Sequence, residues 1–179
     1  MKKIVLLLFL ILLAGCSSQS SDKEIKKEPE KPVAVTNKIA NIDQLKEYLK
    51  TICPPNYTEN EITAKVYEDT EIDGGYAIAF EMNTDKLGKE ETYEYSKNFI
   101  IKAYDAVKTN SLPVFYITAI RYDKDGGRMF FVGFGPDIYE KLADRKDKIS
   151  AKEFIEWVKE RKAETSGSNE NAIIFRDFR

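Results

Sequence analysis

The sequence predicts an α+β domain in which two antiparallel β-hairpins each follow a helix. Two pairs of alternating apolar segments indicate the hairpins, because each pair is joined by a loop that contains Asp-Gly-Gly. Apolar residues at helical spacing precede each pair and also follow the second pair. The expected order is therefore α-ββ-α-ββ-α-α, in one sheet packed by helices.

The first helix is predicted over residues 42–53. Asn41 is a favourable N-cap residue, and Gln44 stands three positions later, as in a capping box. Apolar residues then recur at helical spacing until Pro54 and Pro55 stop the pattern.

The first hairpin is predicted over residues 61–68 and 76–83. If Glu68 pairs with Tyr76, antiparallel order brings apolar side chains together on one face and leaves polar side chains and alanines on the other. That apolar face would contain Ile62, Ala64, Val66, Ile78, Phe80 and Met82. Because a slip of one residue would invert the faces, the pattern supports a half-buried hairpin in this register.

The second hairpin follows a long helix, predicted over residues 90–109, and comprises residues 113–122 and 128–134. We expect Tyr122 to pair with Arg128 across its loop. That register would set Ala119 opposite Phe131 and Ile117 opposite Gly133.

A candidate binding face results from this register of the second hairpin. Its members would be Tyr116, Tyr122, Arg128, Phe130 and Phe134. Tyrosine and arginine are enriched at recognition surfaces, which favours a binding role. The alternative is that the helix at 151–162 covers the face, with Trp157 against Phe130 or Phe134. The sequence alone leaves both arrangements open.

Two further helices are predicted after the second hairpin. Pro136 begins a short one, since proline is favoured at the first helical position. Residues 150–153 form a capping box for the helix at 151–162. We expect residues 163–171 to be flexible, and residues 172–179 are a candidate for an extra strand.

Residues 16–37 precede the domain and are predicted to form a disordered tether. They are rich in Ser, Lys, Glu and Pro and contain few apolar side chains, so they cannot bury enough surface to offset the loss of chain entropy. A flexible chain of this length has a root-mean-square span of roughly 25 Å. A single globular α+β domain is expected over residues 38–179.

Residues 1–15 have the layout of a cleavable signal peptide. Lys2 and Lys3 form a cationic start, and ten uninterrupted apolar residues follow at 4–13. A membrane-spanning helix needs about 20 apolar residues, so this segment is too short to remain as one.

The end of the apolar segment, Leu13-Ala14-Gly15-Cys16, resembles the lipobox of bacterial lipoproteins. This resemblance covers only the first sixteen positions. It implies cleavage before Cys16 and attachment of a diacylglyceryl group to the Cys16 thiol, and two acyl chains hold a protein far more firmly than one. The resemblance therefore implies a lipid-anchored protein that faces outward from the bacterial cell membrane.

Composition argues against several classes of function. The chain has no histidine, so Ser-His-Asp and Cys-His catalysis are excluded and the common zinc sites lack ligands. Without Lys2 and Lys3 the chain carries 26 basic and 30 acidic side chains, which gives no reason to expect nucleic acid as a partner. We predict no catalytic residue, no metal and no cofactor.

Two local features have ordinary structural interpretations. Cys53 has no disulfide partner within the chain if Cys16 is acylated, and we interpret it as a small buried side chain. The loop at 123–127 has alternating aspartates before glycine but lacks the later ligands of a calcium loop. Because the loop joins two strands, a hairpin turn is favoured.

Three hypotheses for function remain. The favoured one is a noncatalytic binding module at the cell envelope, for a protein, peptide or envelope component. The second is an envelope structural or assembly factor in which residues 172–179 add a strand to a partner's sheet. The third, which no specific feature supports, is a carboxylate-based hydrolase of wall polymers.

Overall fold

The computed structural model describes residues 38–68, 73–164 and 173–178, without the side chains of 163 and 164. The predicted signal peptide and tether, Cys16 and most of the predicted flexible segment 163–171 lie outside these residues. In chain order the elements are α1 (Ile42–Thr51), β1 (Ile62–Glu68), β2 (Tyr76–Met82), α2 (Lys89–Thr109), β3 (Val114–Tyr122), β4 (Arg128–Phe134), α3 (Pro136–Glu140), α4 (Ala151–Glu164) and β5 (Ile174–Arg176). No helix in the described part of the chain combines the length and hydropathy needed to cross a membrane.

The strands form one sheet in the order β1-β2-β3-β4-β5. The pair β2–β3 is parallel and the other three pairs are antiparallel. The parallel pair arises because α2 carries the chain from the end of one hairpin back to the start of the next. This architecture confirms the predicted α+β class, with two hairpins that each follow a helix.

The first hairpin has the predicted register. Glu68 pairs with Tyr76, and Ile62 pairs with Met82 at the other end, without interruption. Ile78 and Phe80 are fully buried, whereas Lys65 on the opposite face is exposed. The alternation of apolar and polar residues was sufficient to predict which face is buried.

The predicted register of the second hairpin is wrong beyond its first pair. Tyr122 pairs with Arg128 as expected, but the register shifts between Arg121 and Tyr122, so that Met129 is an extra residue in β4. Ala119 consequently faces Val132, and Ile117 faces Phe134. The shift of one residue moves every later side chain of β4 to the other face of the sheet.

The helices pack on one face of the sheet, which we call the covered face. Its side chains come from Ile62, Ala64, Val66, Ile78, Phe80, Met82, Ile117, Ala119, Arg121, Phe130, Val132, Phe134 and Phe175. Phe80 stacks on Phe99 of α2, with ring centroids 4.3 Å apart. Phe134 meets Trp157 of α4 edge-on at 6.1 Å. Full burial of each such phenylalanine stabilises the fold by about 1.5–3 kcal/mol.

Arg121 is a buried cation on the covered face, only 6% exposed. Its guanidinium donates hydrogen bonds to the carbonyl oxygen of Leu87 and, at 2.9 Å, to the hydroxyl of Thr92. It also lies 5.7 Å from the ring centroid of Phe178. These contacts tie the start of α2 and the residues after β5 to the end of β3.

Candidate binding surface

The face of the sheet opposite the helices, which we call the open face, has no helix packed on it within the described residues. The aromatic side chains of α2 and α4 that contact the described strands do so on the covered face. By register, the open face consists of Thr63, Lys65, Tyr67, Ala77, Ala79, Glu81, Tyr116, Thr118, Ile120, Tyr122, Phe131, Gly133, Ile174 and Arg176. Tyr67 is 47% exposed and Ile174 is 39% exposed, so large apolar groups are available to a partner.

A polar cluster on β1 and β2 occupies one side of the open face. Lys65 Nζ lies 2.5 Å from one carboxylate oxygen of Glu81, and the Tyr67 hydroxyl donates to the other oxygen at 3.1 Å. Burial raises the pKa of Tyr67, and the adjacent Glu81 carboxylate raises it further, so the phenol stays protonated. Tyr122 of β3 lies on the same face of the sheet. This cluster fixes the orientation of Tyr67.

A second aromatic group lies where β3, β4 and β5 meet. The Ile174 N–H donates a hydrogen bond to the Tyr116 hydroxyl at 3.2 Å. The Tyr116 ring lies against Gly133, because a Cβ atom added there would come within 2.9 Å of ring atom Cε1. Burial raises the pKa of Tyr116 well above its usual value, so its hydroxyl remains neutral. The missing side chain of Gly133 therefore provides the space in which Tyr116 packs.

The candidate residues from the second hairpin do not share one face. Tyr116 and Tyr122 lie on the open face, and Arg128 pairs with Tyr122 at an exposed position. Phe130 and Phe134 instead lie on the covered face and are 0% exposed. The expectation that these five residues form one surface is wrong, because the register shift at Arg121 and Tyr122 inverts the rest of β4.

The packing alternative for this hairpin holds for Phe134 but not for the two tyrosines. Phe134 is covered by α4 through Phe154 and Trp157, as the packing alternative expected. Phe130 is covered by α2 through Tyr93 and by Phe178, rather than by α4. The tyrosines of the same hairpin stay on the open face.

The open-face residues that were not predicted as candidates include Tyr67, Phe131 and Ile174. Tyr67 could have been found, because the confirmed register of the first hairpin puts it beside Lys65. Phe131 was assigned to the opposite face from the candidate tyrosines, because the bulge has no clear signal in the sequence. Ile174 depends on β5, which pairs with β4 through only three residues.

Charge on the open face is predominantly positive among the described residues. Lys65 is paired with Glu81, the only carboxylate in the described part of this face. Arg176 pairs with Phe131 on the same face, and Arg128 extends it next to Tyr122. The two arginines therefore give an aromatic surface a net positive charge on a chain whose overall formal charge is −2.

The other two features identified in the sequence have structural roles. Asp123 Oδ1 accepts hydrogen bonds from the N–H groups of Asp125 and Gly127, at 2.9 and 2.7 Å, which closes the second hairpin loop. The Cys53 thiol donates to the Leu49 carbonyl oxygen at 3.3 Å. Burial raises the pKa of Cys53 to about 11, so at neutral pH it is a thiol and not a nucleophilic thiolate.

Metal-binding clusters are absent from the part of the chain that the structure describes: no group of three or more Cys, Asp or Glu side chains there could hold an ion. Comparisons with protein-family models, with curated proteins and with solved structures found no significant match. The geometry of the open face is therefore the basis for a functional assignment.

Proposed function

We propose that this chain is a noncatalytic binding module of the bacterial cell envelope, anchored to the membrane through a lipid on Cys16, that recognises a protein, peptide or envelope component. The open face carries this proposal. It presents exposed tyrosine, isoleucine and arginine side chains on a rigid sheet, and such residues provide large contact area with polar groups at their ends.

The composition of the open face favours recognition over chemistry. Both oxygens of Glu81, the one carboxylate among its described residues, accept hydrogen bonds from neighbouring side chains. A general acid or base instead needs a titratable group within reach of a substrate proton. Arg128 and Arg176 favour a partner with negative charge at the contact surface.

The proposed anchor rests on the lipobox-like residues 13–16 and on the tether that follows them. A tether with a root-mean-square span of roughly 25 Å would keep the domain within a few nanometres of the bilayer. The effective concentration of any envelope partner near the open face would then be high.

The anchor can be tested with Cys16→Ser. We expect this variant to lose incorporation of labelled fatty acid and to leave the membrane fraction, because the thiol is the attachment point. Cys53→Ser is the matched control and should keep both properties. Equal membrane retention of the Cys16→Ser variant and the parent would contradict the anchor.

The binding surface can be tested by photo-crosslinking on intact cells. A benzophenone amino acid at Tyr67 or Tyr122 should give a specific adduct, whereas one at Glu160, an exposed position of α4, should not. Adding Arg128→Ala and Arg176→Ala should reduce the Tyr67 adduct while leaving the melting temperature nearly unchanged, since surface substitutions cost within about 0.5 kcal/mol. Equal adducts from α4 and from the sheet, or none from the sheet, would contradict the proposal.

A further inference from the structure

The outer edge of β1 has backbone groups that are not hydrogen-bonded to any other described part of the backbone. The Asn83 N–H donates to the Glu61 carbonyl oxygen. In an antiparallel ladder this bond fixes which residues of β1 direct their backbone groups toward β2 and which direct them outward. Residues 63, 65 and 67 therefore point their backbone groups toward β2. Ala64 and Val66 point both their N–H and C=O groups outward, and no other described strand lies on that side.

At one end of this edge, an outward-pointing N–H group is already hydrogen-bonded within the chain. The Ile62 N–H, which also points outward, donates to the Thr58 carbonyl oxygen at 2.9 Å. The row of available groups consequently starts at Ile62 C=O and continues through Ala64 and Val66. It is long enough for a partner segment of about five residues.

Within β1 itself, three features that often protect edge strands are absent. Natural edges are commonly blunted by proline, by a bulge or by a charge directed into the pairing zone. β1 contains no proline, and its register with β2 is uninterrupted over seven residues. Its only cation, Lys65, is directed to the open face and paired with Glu81.

The helix α1 lies along the covered side of the same edge. Near the start of α1, a cavity of about 690 Å³ lies between Ile42 and Lys46 of the helix and Val66 and Glu68 of β1, and it extends under the sheet to Tyr76, Leu112 and Pro113. The start of the helix thus lies beside the end of the strand, so that α1 runs antiparallel to β1.

A second cavity lies farther along the edge. Its volume is about 290 Å³, and it is lined by Lys50, Cys53 and Tyr57 on one side and by Ile62 and Ala64 on the other. Together the two cavities make a groove between α1 and β1, which we call the edge groove.

The edge groove matches the geometry of an added strand. A segment paired with Ala64 and Val66 would direct alternate side chains to the covered side, where the two cavities lie. The positions opposite Val66 and Ile62 are four residues apart, or about 13 Å along a strand. Uncharged side chains with this spacing would enter one cavity each.

We propose that the edge groove binds an extended peptide segment of a partner, which joins the sheet as a strand beside β1 and places apolar side chains four residues apart in the two cavities. Backbone hydrogen bonds would supply affinity and the cavities would supply selectivity. This site is distinct from the open face and does not depend on it. A second copy of the chain fits less well in the register centred on Lys65, because that register would oppose the two lysines.

The probe for this site is a set of synthetic heptapeptides with serine at odd positions and valine, leucine or phenylalanine at even positions. Binding to the full-length protein in detergent micelles would be measured by fluorescence anisotropy and by amide hydrogen exchange. We expect at least one peptide to bind with a Kd below about 1 mM. Binding should slow exchange at Ala64 and Val66, with little change at Lys65, whose amide is already paired with β2.

Alternate N-methylation of the best peptide provides the matched control. Methyl groups on the amides that face β1 should weaken binding about tenfold or more, whereas methyl groups on the other set should not. Ala64→Pro should also abolish binding, since its N–H points away from β2, and Tyr67→Ala on the open face should leave it unchanged.

Several results would overturn the proposal. One is the absence of binding by any peptide at a concentration of about 1 mM. The others are equal effects of the two methylation patterns and protection from hydrogen exchange that maps to the open face. Concentration-dependent dimerisation that protects Ala64 and Val66 without peptide would show that a second copy is the occupant. None of these results bears on crosslinks from Tyr67 and Tyr122, so the two proposals fail separately.

Discussion

The hydroxyl of Tyr93 in α2 donates a hydrogen bond to the carboxylate of Asp177, which follows β5. The same carboxylate accepts the Phe178 N–H at 2.9 Å and lies 3.2 Å from Lys159 Nζ and 3.4 Å from Lys89 Nζ. Asp177 thus connects the segment after β5 to both α2 and α4.

This cluster predicts a pH-dependent contribution to stability. Burial alone would raise the pKa of Asp177, but the hydrogen bonds from Tyr93, Phe178 and Lys159 outweigh it and hold the pKa below its ordinary value. A group with a depressed folded-state pKa stabilises the fold above its unfolded pKa, about 3.9 for aspartate, and loses this effect as pH falls through the folded value.

Asp177→Asn should therefore reduce the free energy of unfolding by about 1.5–3 kcal/mol at pH 7, the range for a hydrogen bond to a charged group. The difference from the parent should shrink as pH falls below about 4, where the unfolded parent begins to bind a proton, and should disappear below the lowered folded-state pKa. Denaturant titrations between pH 2 and 7 measure this. A difference that does not vary with pH would show that the charge of Asp177 contributes nothing.

Adjacent phenylalanines of β4 test the observed register. Phe130→Ala should cost roughly 3–5 kcal/mol, because the ring is fully buried between Tyr93 and Phe178. Phe131→Ala should cost clearly less, since Phe131 lies partly exposed on the open face. Thermal melts of the two variants measure these losses of stability. A larger loss from Phe131→Ala than from Phe130→Ala would support the register without the bulge.

Gly133→Ala should destabilise the sheet by about 1–3 kcal/mol through overpacking. An added Cβ would lie 2.9 Å from the Ile117 carbonyl oxygen, a backbone atom that cannot move aside, and 2.9 Å from the Tyr116 ring. Gly88→Ala is the matched control, because its nearest contact would be an ordinary 3.6 Å. Chemical unfolding of both variants checks the prediction, and equal stabilities would contradict the close packing at Gly133.

Cys53 should react slowly with alkylating reagents. Because its pKa is raised to about 11, only a small fraction is thiolate at pH 8. We expect iodoacetamide to modify the Cys53 peptide roughly a hundredfold more slowly than it modifies a free thiol, with the rate rising about tenfold per pH unit toward pH 10. Mass spectrometry of that peptide gives the rate, and fast labelling at pH 8 would mean that the thiol is not shielded.

The first hairpin could be predicted in full because its two faces differ strongly in polarity. In β1 the apolar residues Ile62, Ala64 and Val66 alternate with Thr63 and Lys65. Only one register therefore places apolar side chains opposite apolar ones and polar side chains on the other face. Helix boundaries were also accessible where capping side chains mark them. Asn41 accepts the Gln44 N–H at 3.0 Å, and Ser150 accepts the Glu153 N–H at 3.3 Å.

The second hairpin could not be predicted in the same way, because both of its faces are apolar. Phe130 and Phe131 are equally suitable for burial by composition, so polarity does not choose between the two registers. The choice is made by tertiary contacts with Tyr93, Trp157 and Phe178, which come from separate parts of the chain. The candidate surface was correspondingly right for Tyr116 and Tyr122 and wrong for its two phenylalanines.

Residues 173–178 are made after all the strands and helices that they cover. Ile173 is buried, Phe178 stacks on Phe130 with ring centroids 5.4 Å apart, and Asp177 is bound by Tyr93. A chain that emerges with its N-terminus first, from a ribosome or from an export channel, cannot close this side of its core until the segment has followed. Its fully packed state is thereby postponed until this segment has emerged, which keeps the earlier residues open to unfolding until then.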